Sequence, residues 1–281
     1  VIMGKHQNPL KEVNLTYLNQ KQIPIIRRIS GGGTVYHDLG NLNYSFIDMG
    51  KADSLVNFAK YSQPVLDLLQ SFGVDAKLVG KSDLKINDKK FSGNASHVYR
   101  HKVLHHGTLL FDSNLKVLNE SIKINRNNIT DKAVNSNRSV VVNISEYLST
   151  QMTIIDFKSK LFQHIQNIFP ESKVINLSRS QISEIQKLAD EKYKTWEWNF
   201  GYGPKYEINS LCEIHGAEID FRVKIAKGFI QSYESSSPIP SDWTKSLNSI
   251  IGLQHEEEII KHHLGIQTPK EIKNSIFQIL F

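Results

Sequence analysis

The stretch Arg27-Arg28-Ile29-Ser30-Gly31-Gly32-Gly33-Thr34-Val35-Tyr36-His37-Asp38 constrains this chain more than any other. Three successive glycines, lacking Cβ atoms, let the backbone pass close to a ligand and adopt φ > 0. Consecutive N–H groups in such a turn form a concavity that attracts anionic oxygens. Arg28, just upstream, offers a bidentate fork for a phosphate. Taken alone, the stretch supports two readings: an anion-cradling loop for a nucleotide phosphate, and a glycine-rich hairpin turn flanked by solvated arginines.

The 281 residues allow one large domain, or a large one with a small companion. Hydrophobic residues at 40% and charged residues at 22% are ordinary for a globular chain. A single cysteine, Cys212, excludes an internal disulfide framework and suits a reducing compartment. No apolar run approaches the roughly 18–20 residues of a membrane helix, and no charged-then-apolar leader is present. The net charge of +6 is scattered, without a polybasic run or zinc-finger spacing. That argues against nucleic acid and for a basic face that steers an acidic protein partner.

Val1 to Met3 reads as a strand, Asn14 to Gln20 as a short helix capped by Asn14, and Ile23 to Arg28 as a strand feeding the glycine loop. Thr34–His37 and Asn43–Asp48 are predicted to form a hairpin bent at Asp38-Leu39-Gly40-Asn41. Leu55, Phe58, Ala59, Leu66 and Leu69 predict a helix over Asp53–Phe72, kinked or split by Pro64 and ended by Gly73. Gly80-Lys81-Ser82 imitates the end of a P-loop, but Asp75 stands where its first glycine belongs, and no G-x-G-x-x-G occurs. Asp83 to Gly93 reads as a hairpin turning at Asn87-Asp88. Lys90 is then on the returning strand, on the face of its neighbours two residues away. His97, His101 and His105 recur every four residues, but they run into the strand-like Leu104–Phe111, where that spacing has no metal-ligand meaning.

Arg126 to Asn143 is Asn-rich and aperiodic, a long loop of the kind that often serves as a lid. Its Lys132 and Arg138 are phosphate contacts or solvated charges. Amphipathic helices are predicted at Ile154–Phe169 and Ser178–Asp190, the second capped by Ser178 and Gln181. Thr195 to Gly201 is an aromatic cluster of core-packing density. A meander (Lys205–His215, Ala217–Ile225, Gly228–Tyr233), a Ser/Pro linker and short helices near 242–250 and 256–263 follow. The predicted division is a large domain, 1–205, and a small accessory domain, 206–281.

Three blocks resemble the signatures of the lipoate–protein ligase A family, within the biotin/lipoate protein ligase superfamily. They are Arg27 through Asn41, Lys81 through Ala95, and His105-His106-Gly107-Thr108-Leu109-Leu110, in the family's order and at its distances. The resemblance covers nearly the whole chain, weakening between about 150 and 190 and after 206. It implies an α+β fold, with a mixed sheet flanked by helices like that of biotin ligases and class II aminoacyl-tRNA synthetase cores. It also implies a catalytic domain over 1–205 with a small C-terminal α/β domain. The family normally carries a further strand and helix, roughly thirty residues, ahead of the equivalent of Val1, and it places the aromatic cluster where the large domain closes.

The implied activity has two steps, in which lipoate and ATP give lipoyl-AMP with Mg²⁺ present, and the lipoyl group then passes to a lysine amine. The acceptors are lipoyl domains of 2-oxoacid dehydrogenase E2 subunits or the glycine cleavage H protein. Lys90 aligns with the catalytic lysine, although a lysine on a strand is otherwise a solvated residue. Arg28, Ser30, Gly31, Gly32, Gly33, Thr34, Val35, Tyr36, Asp83, Ser92, Gly93 and Ala95 align with ATP and lipoyl-AMP contacts. His37, Asn41, His106, Gly107 and Thr108 align with the lipoate pocket, and Asp83 is the candidate for Mg²⁺ or ribose. Rival readings are a lipoyltransferase using preformed lipoyl-AMP, a cysteine-dependent acyltransferase, and a non-catalytic binder. The second needs a thiol nucleophile, yet Cys212 lies outside every block. A monomer in the cytoplasm, or in an organellar matrix if eukaryotic, with no nucleic acid or membrane partner, is expected.

Overall fold

The computed structural model describes residues 1–50, 56–122 and 128–281. Asp53, Leu55 and Arg126, which the sequence assigns to a helix start and a loop start, lie outside the described residues. In chain order the first elements are β1 (Ile2–Met3), α1 (Pro9–Glu12), α2 (Leu15–Gln20), β2 (Ile26–Arg27), β3 (Asn41–Met49) and α3 (Phe58–Ser71). Next come β4 (Ala76–Val79), β5 (Asp83–Ile86), β6 (Lys89–Tyr99), β7 (Lys102–Leu110), α4 (Leu115–Ser121), β8 (Ile129–Asp131), α5 (Ile154–Ile168) and α6 (Arg179–Leu188). The last are β9 (Tyr206–Ile214), β10 (Ala217–Ala226), β11 (Phe229–Ser235), α7 (Ser241–Ser249), α8 (Glu257–Leu264) and α9 (Lys270–Leu280). Contacts divide the chain into one unit of residues 1–5, 13–123 and 136–187 and a second of 6–12, 124–135 and 188–281.

In the first unit, β3-β7-β6-β5-β4 form a sheet that is antiparallel throughout. One face buries Leu84, Ile86, Phe91 and Leu109 with Val65, Leu68 and Leu69 of α3 and Phe157 and Leu161 of α5. Helix α3 is started by Asn57, whose side chain accepts from the Lys60 N–H at 2.9 Å. It runs as one element through Pro64, so of the kink or split expected there, the split does not occur. Burial of Val65, Leu68 and Leu69 just beyond it offsets a cost of about 3 kcal/mol for an interior proline. Gly73, at φ +79°, closes the helix as predicted.

The hairpin predicted for 34–37 with 43–48 does not form. The Asp38–Asn41 bend is closed by its own side chains, Asp38 N–H to Asn41 Oδ1 and Gly40 N–H to Asp38 Oδ1, both 2.9 Å. Val35 instead exchanges two 2.9 Å backbone hydrogen bonds with Ile2, and β3 pairs with β7. A second cluster, Val1, Val13, Leu18, Tyr36, Leu110 and Leu118, packs β1 and the helices α2 and α4. Among the described residues, parallel pairing is confined to β1 with β2 and a bridge from Lys90 to Val141. The predicted loop 126–143 is thus partly regular: residues 129–131 form β8, and Val141 joins the strand of Lys90.

The second unit carries the sheet β11-β10-β9-β8, the predicted meander with one added strand. Helix α9, absent from the sequence reading, buries Ile272, Ile276, Ile279 and Leu280. Trp196 stacks on Phe200 at 6.1 Å and meets Phe229 edge-on at 5.5 Å. Within the second unit, β11 thus supplies a partner ring for the aromatic cluster.

Candidate active site

The glycine loop is shaped from beneath by Arg28. Its Nε–H donates to Ser30 Oγ at 3.1 Å and Nη1 to the Ile2 carbonyl at 3.3 Å. Nη2 donates to the carbonyls of Gly31 at 2.6 Å and Gly33 at 2.7 Å. Burial pushes this guanidinium down to about 10, so it stays charged at neutral pH. The fork expected to grip a phosphate is committed to loop carbonyls. With those turned toward Arg28, the N–H groups of Gly31, Gly32 and Gly33 carry no hydrogen bond among the described residues. That is the unsatisfied concavity an anion fills. Gly32 holds φ +89°, and a Cβ on Gly4 would lie 2.0 Å from the Gly32 carbonyl oxygen, so β1 approaches the loop as closely as backbone allows. Arg27 is fully buried and donates to the carbonyls of Gly4 and Lys5, a second arginine spent on backbone.

The sheet faces this loop with its polar side. Asp83 pairs with Gly93, Gly93 with Thr108, and Asn43 with Thr108, one row across four strands. Two residues along, Ala95 pairs with His106, and His106 with Ser45. The Asn87-Asp88 turn, with φ +48° and +61°, makes the predicted two-residue hairpin. An irregularity between Leu84 and Lys85 then shifts the register, so that Leu84 faces Ser92 but Lys85 faces Lys90. A bulge of this kind re-aims a side chain. Lys90 accordingly shares its face with Gly93, three residues on, and not with Ser92 as simple alternation predicts. A Cβ at Gly93 would lie 3.3 Å from Lys90 Cε. Lys90 Nζ sits 2.8 Å from Asp83 Oδ1, each side chain about a quarter exposed.

His106 Nε2 is 2.6 Å from Ser30 Oγ, tying sheet to loop. Burial, aided by the positive Arg28, lowers His106 to about 4; burial and positive neighbours including Arg28 hold His37 at about 4. Both rings are neutral at pH 7, and buried His37 Nε2 has no hydrogen-bond partner among the described residues. Asn41 Nδ2 donates to Thr108 Oγ1 at 3.2 Å.

The predicted site residues thus divide. Ser30, Gly31, Gly32, Gly33, Asp83, Lys90, Gly93, Ala95, His106 and Thr108 line the loop and the polar face, with Asn41 and His37 beside them. Ser92 and Gly107 point to the opposite face, where Asn94 Nδ2 donates to Ser92 Oγ at 3.3 Å and Tyr44 donates to Asn94 Oδ1 at 2.5 Å. Tyr36 is a core residue and Val35 a backbone pairing residue. Lys132 and Arg138 are exposed. Three contributors are not signalled by the sequence. Ser136 Oγ accepts from the Thr34 N–H at 2.9 Å, and Val140 and Val142 bond the Lys90 backbone on both sides, at 2.8 and 3.0 Å. A serine in an aperiodic Asn-rich stretch gives no signal for such a contact.

Among the described residues no three His, Cys, Asp or Glu side chains converge on one metal position. Among the described residues of this sheet, Asp83 is the strand carboxylate on the side of the glycine loop. A single carboxylate completed by substrate phosphates is a normal magnesium arrangement, so the residues fit that ion.

A glycine loop with open N–H groups beside a lysine–aspartate pair on an antiparallel sheet is an arrangement suited to binding an anionic ligand such as a phosphate. Residues 1–166 match the model of the lipoyl protein ligase A/B catalytic domain, and the chain belongs to that family. It is 36% identical over 293 residues to the lipoate–protein ligase LplJ of Bacillus subtilis, covering 99% of this chain and 88% of that protein. Among solved structures it resembles the bipartite lipoate–protein ligase of Thermoplasma acidophilum, solved in a study with its E2 lipoyl domain. That match has TM-score 0.60 and 26% identity over 72% of this chain and 80% of the other. It also resembles a lipoate–protein ligase A bound with ATP, with TM-score 0.58 and 27% identity over 72% and 81% of the two chains.

Proposed function

We propose that this chain is an ATP-dependent lipoate–protein ligase that joins lipoate to AMP and then to a lysine amine of a lipoyl domain. The observation that carries the reading is Lys90 Nζ, 2.8 Å from Asp83 Oδ1, on a sheet face opposite free glycine N–H groups. The loop N–H groups receive the α-phosphate oxygens. Lys90 leaves Asp83 to lie between phosphate and lipoyl carbonyl, where negative charge grows during each attack. Asp83 would hold Mg²⁺, which would supply further neutralisation of the phosphates. Neutral His106 and His37 offer ring nitrogens to the carboxyl end of lipoate without adding charge. Apolar neighbours sheath the tail, contributing about 25 cal/mol per Å² buried. Catalysis belongs to the part before 205, with 206–281 as an accessory module; a cytoplasmic or matrix monomer acting on E2 or H-protein lipoyl domains fits this chemistry.

The test is the mass of an apo-lipoyl domain after incubation with the protein, ATP, Mg²⁺ and lipoate, beside a tube with synthetic lipoyl-AMP. A lipoyl mass increment from free lipoate is expected. An increment from lipoyl-AMP alone makes the chain a transferase, and none in either tube leaves a binder.

A further inference from the structure

Lysines face lysines in the site sheet. Lys77 of β4 stands directly opposite Lys85 of β5, and Lys85 directly opposite Lys90 of β6. Directly opposed like charges destabilise a sheet, their Cβ atoms being about 4.5–5.5 Å apart. In the β8–β11 sheet the basic residues of β10 face carboxylates, Arg222 opposite Glu234 and Lys224 opposite Glu207, and the like-charged Glu213 and Glu218 that oppose each other are both exposed beside the turn. The outer and inner members of the lysine row are satisfied. Lys77 Nζ is 2.8 Å from Asp75 Oδ2, and Lys90 Nζ 2.8 Å from Asp83 Oδ1. Lysines on edge strands such as β4 also guard against edge-to-edge pairing, which accounts for Lys77. Lys85 is on an inner strand, is half-buried, and has no carboxylate partner among the described residues. Neither explanation covers it.

We infer that Lys85 binds the β- and γ-phosphates of the nucleotide and holds the pyrophosphate that leaves. This rests on the ligase reading and deepens it. Lys90 serves the α-phosphate, so the next cation on the same face is one strand away, at the distance over which a triphosphate extends. Arg28 cannot take this role while its fork holds the Gly31 and Gly33 carbonyls. In adenylation a lipoate carboxylate oxygen bonds to the α-phosphorus as the bond from that phosphorus to the bridging oxygen of the β-phosphate breaks. The electron pair leaves on pyrophosphate and no proton is transferred. Charge therefore grows on the side of Lys85, and a fixed ammonium there stabilises the departing group. The transfer half-reaction expels AMP and has no β-phosphate, so Lys85 acts on one half-reaction and not equally on both.

The experiment compares wild type, Lys85→Gln, Lys85→Arg and Lys77→Gln in two assays. One is lipoate-dependent exchange of labelled pyrophosphate into ATP; the other is transfer from synthetic lipoyl-AMP to an apo-lipoyl domain. Lys85→Gln is expected to raise KM for ATP and for pyrophosphate roughly ten- to a hundredfold, the range of one charge-assisted hydrogen bond. Its effect on transfer is expected to be at least about tenfold smaller, and Lys85→Arg to recover most of the exchange. Unchanged exchange in Lys85→Gln, or equal losses in both assays, overturns the assignment. So does a Lys77→Gln effect as large as that of Lys85→Gln, which means a diffuse basic surface. Absence of exchange in the wild-type protein overturns the ligase reading itself, and this inference with it.

Discussion

The two larger sheets of this chain put the same architecture to different uses. In the second unit, β10 alternates buried Ile219, Phe221, Val223 and Ile225 with exposed polar residues, and the exposed side is neutralised by Arg222–Glu234 and Lys224–Glu234 pairs at 3.8 and 2.6 Å. The basic residues of β10 are met by carboxylates on the neighbouring strands. In the first unit, the face away from the core carries Asp83, Lys90, Gly93, Ala95, His106 and Thr108, small or ionisable residues whose demands are met across the row or left open. A bulge interrupts alternation there, and neutral buried histidines replace solvated charges. Where a sheet departs from self-sufficiency in this way, the missing partner is the ligand.

The sharpest break of that contrast is Lys90→Ala. Adenylate formation is expected to fall about 10²- to 10³-fold, the cost of removing one preorganised stabilising group, with unchanged thermal unfolding. A next, smaller effect is expected of Arg28→Lys. A single ammonium replaces a fork that holds three carbonyls and a hydroxyl, and the glycine N–H groups lose their orientation. KM for ATP should rise roughly tenfold in steady-state kinetics, by loss of about one to two charge-assisted hydrogen bonds.

The pH response has a definite sign. His37, His105 and His106 have folded values of about 4, lowered chiefly by burial, against an ordinary value of 6.5. Between those values the unfolded chain binds the protons, so folding stability is full above about 6.5 and is lost as pH falls toward 4. Urea midpoints measured from pH 7 to 4.5 should decline, and His106→Gln should flatten part of the slope. The smallest effect lies in the other sheet. Glu234→Ala removes only exposed, solvent-screened pairs and should leave the urea midpoint nearly unchanged, with ligase activity intact.

Much of this was legible before any coordinates. The Asn87-Asp88 turn, the Asn14 cap and the Ser178–Gln181 box are local chemistry, and local chemistry decides them. The three motif blocks brought Lys90, Asp83, the glycine loop and His106 into one list, and the fold brings them to one face. What stayed hidden depends on distant partners. Arg28 reads as a phosphate ligand until the Ile2 carbonyl arrives from another strand. Ser92 and Gly107 belong to motif blocks yet point toward Tyr44 and Asn94, because a motif records which residues matter and not which face they serve. Lys85 drew no notice because a like-charge pair exists only once the register is known. The expected hairpin at 34–37 failed for the same reason, since Ile2 outcompeted the nearer strand.

The central claim is that the polar sheet face and the glycine loop together hold an acyl adenylate. A crystal structure with a non-hydrolysable lipoyl-adenylate analogue tests it most directly. The account predicts the analogue's phosphate mimic on the Gly31–Gly33 N–H groups, with Lys90 Nζ moved from Asp83 onto the phosphate and acyl oxygens. An analogue bound away from this face, or a Lys90–Asp83 pair still intact beneath it, would contradict the account.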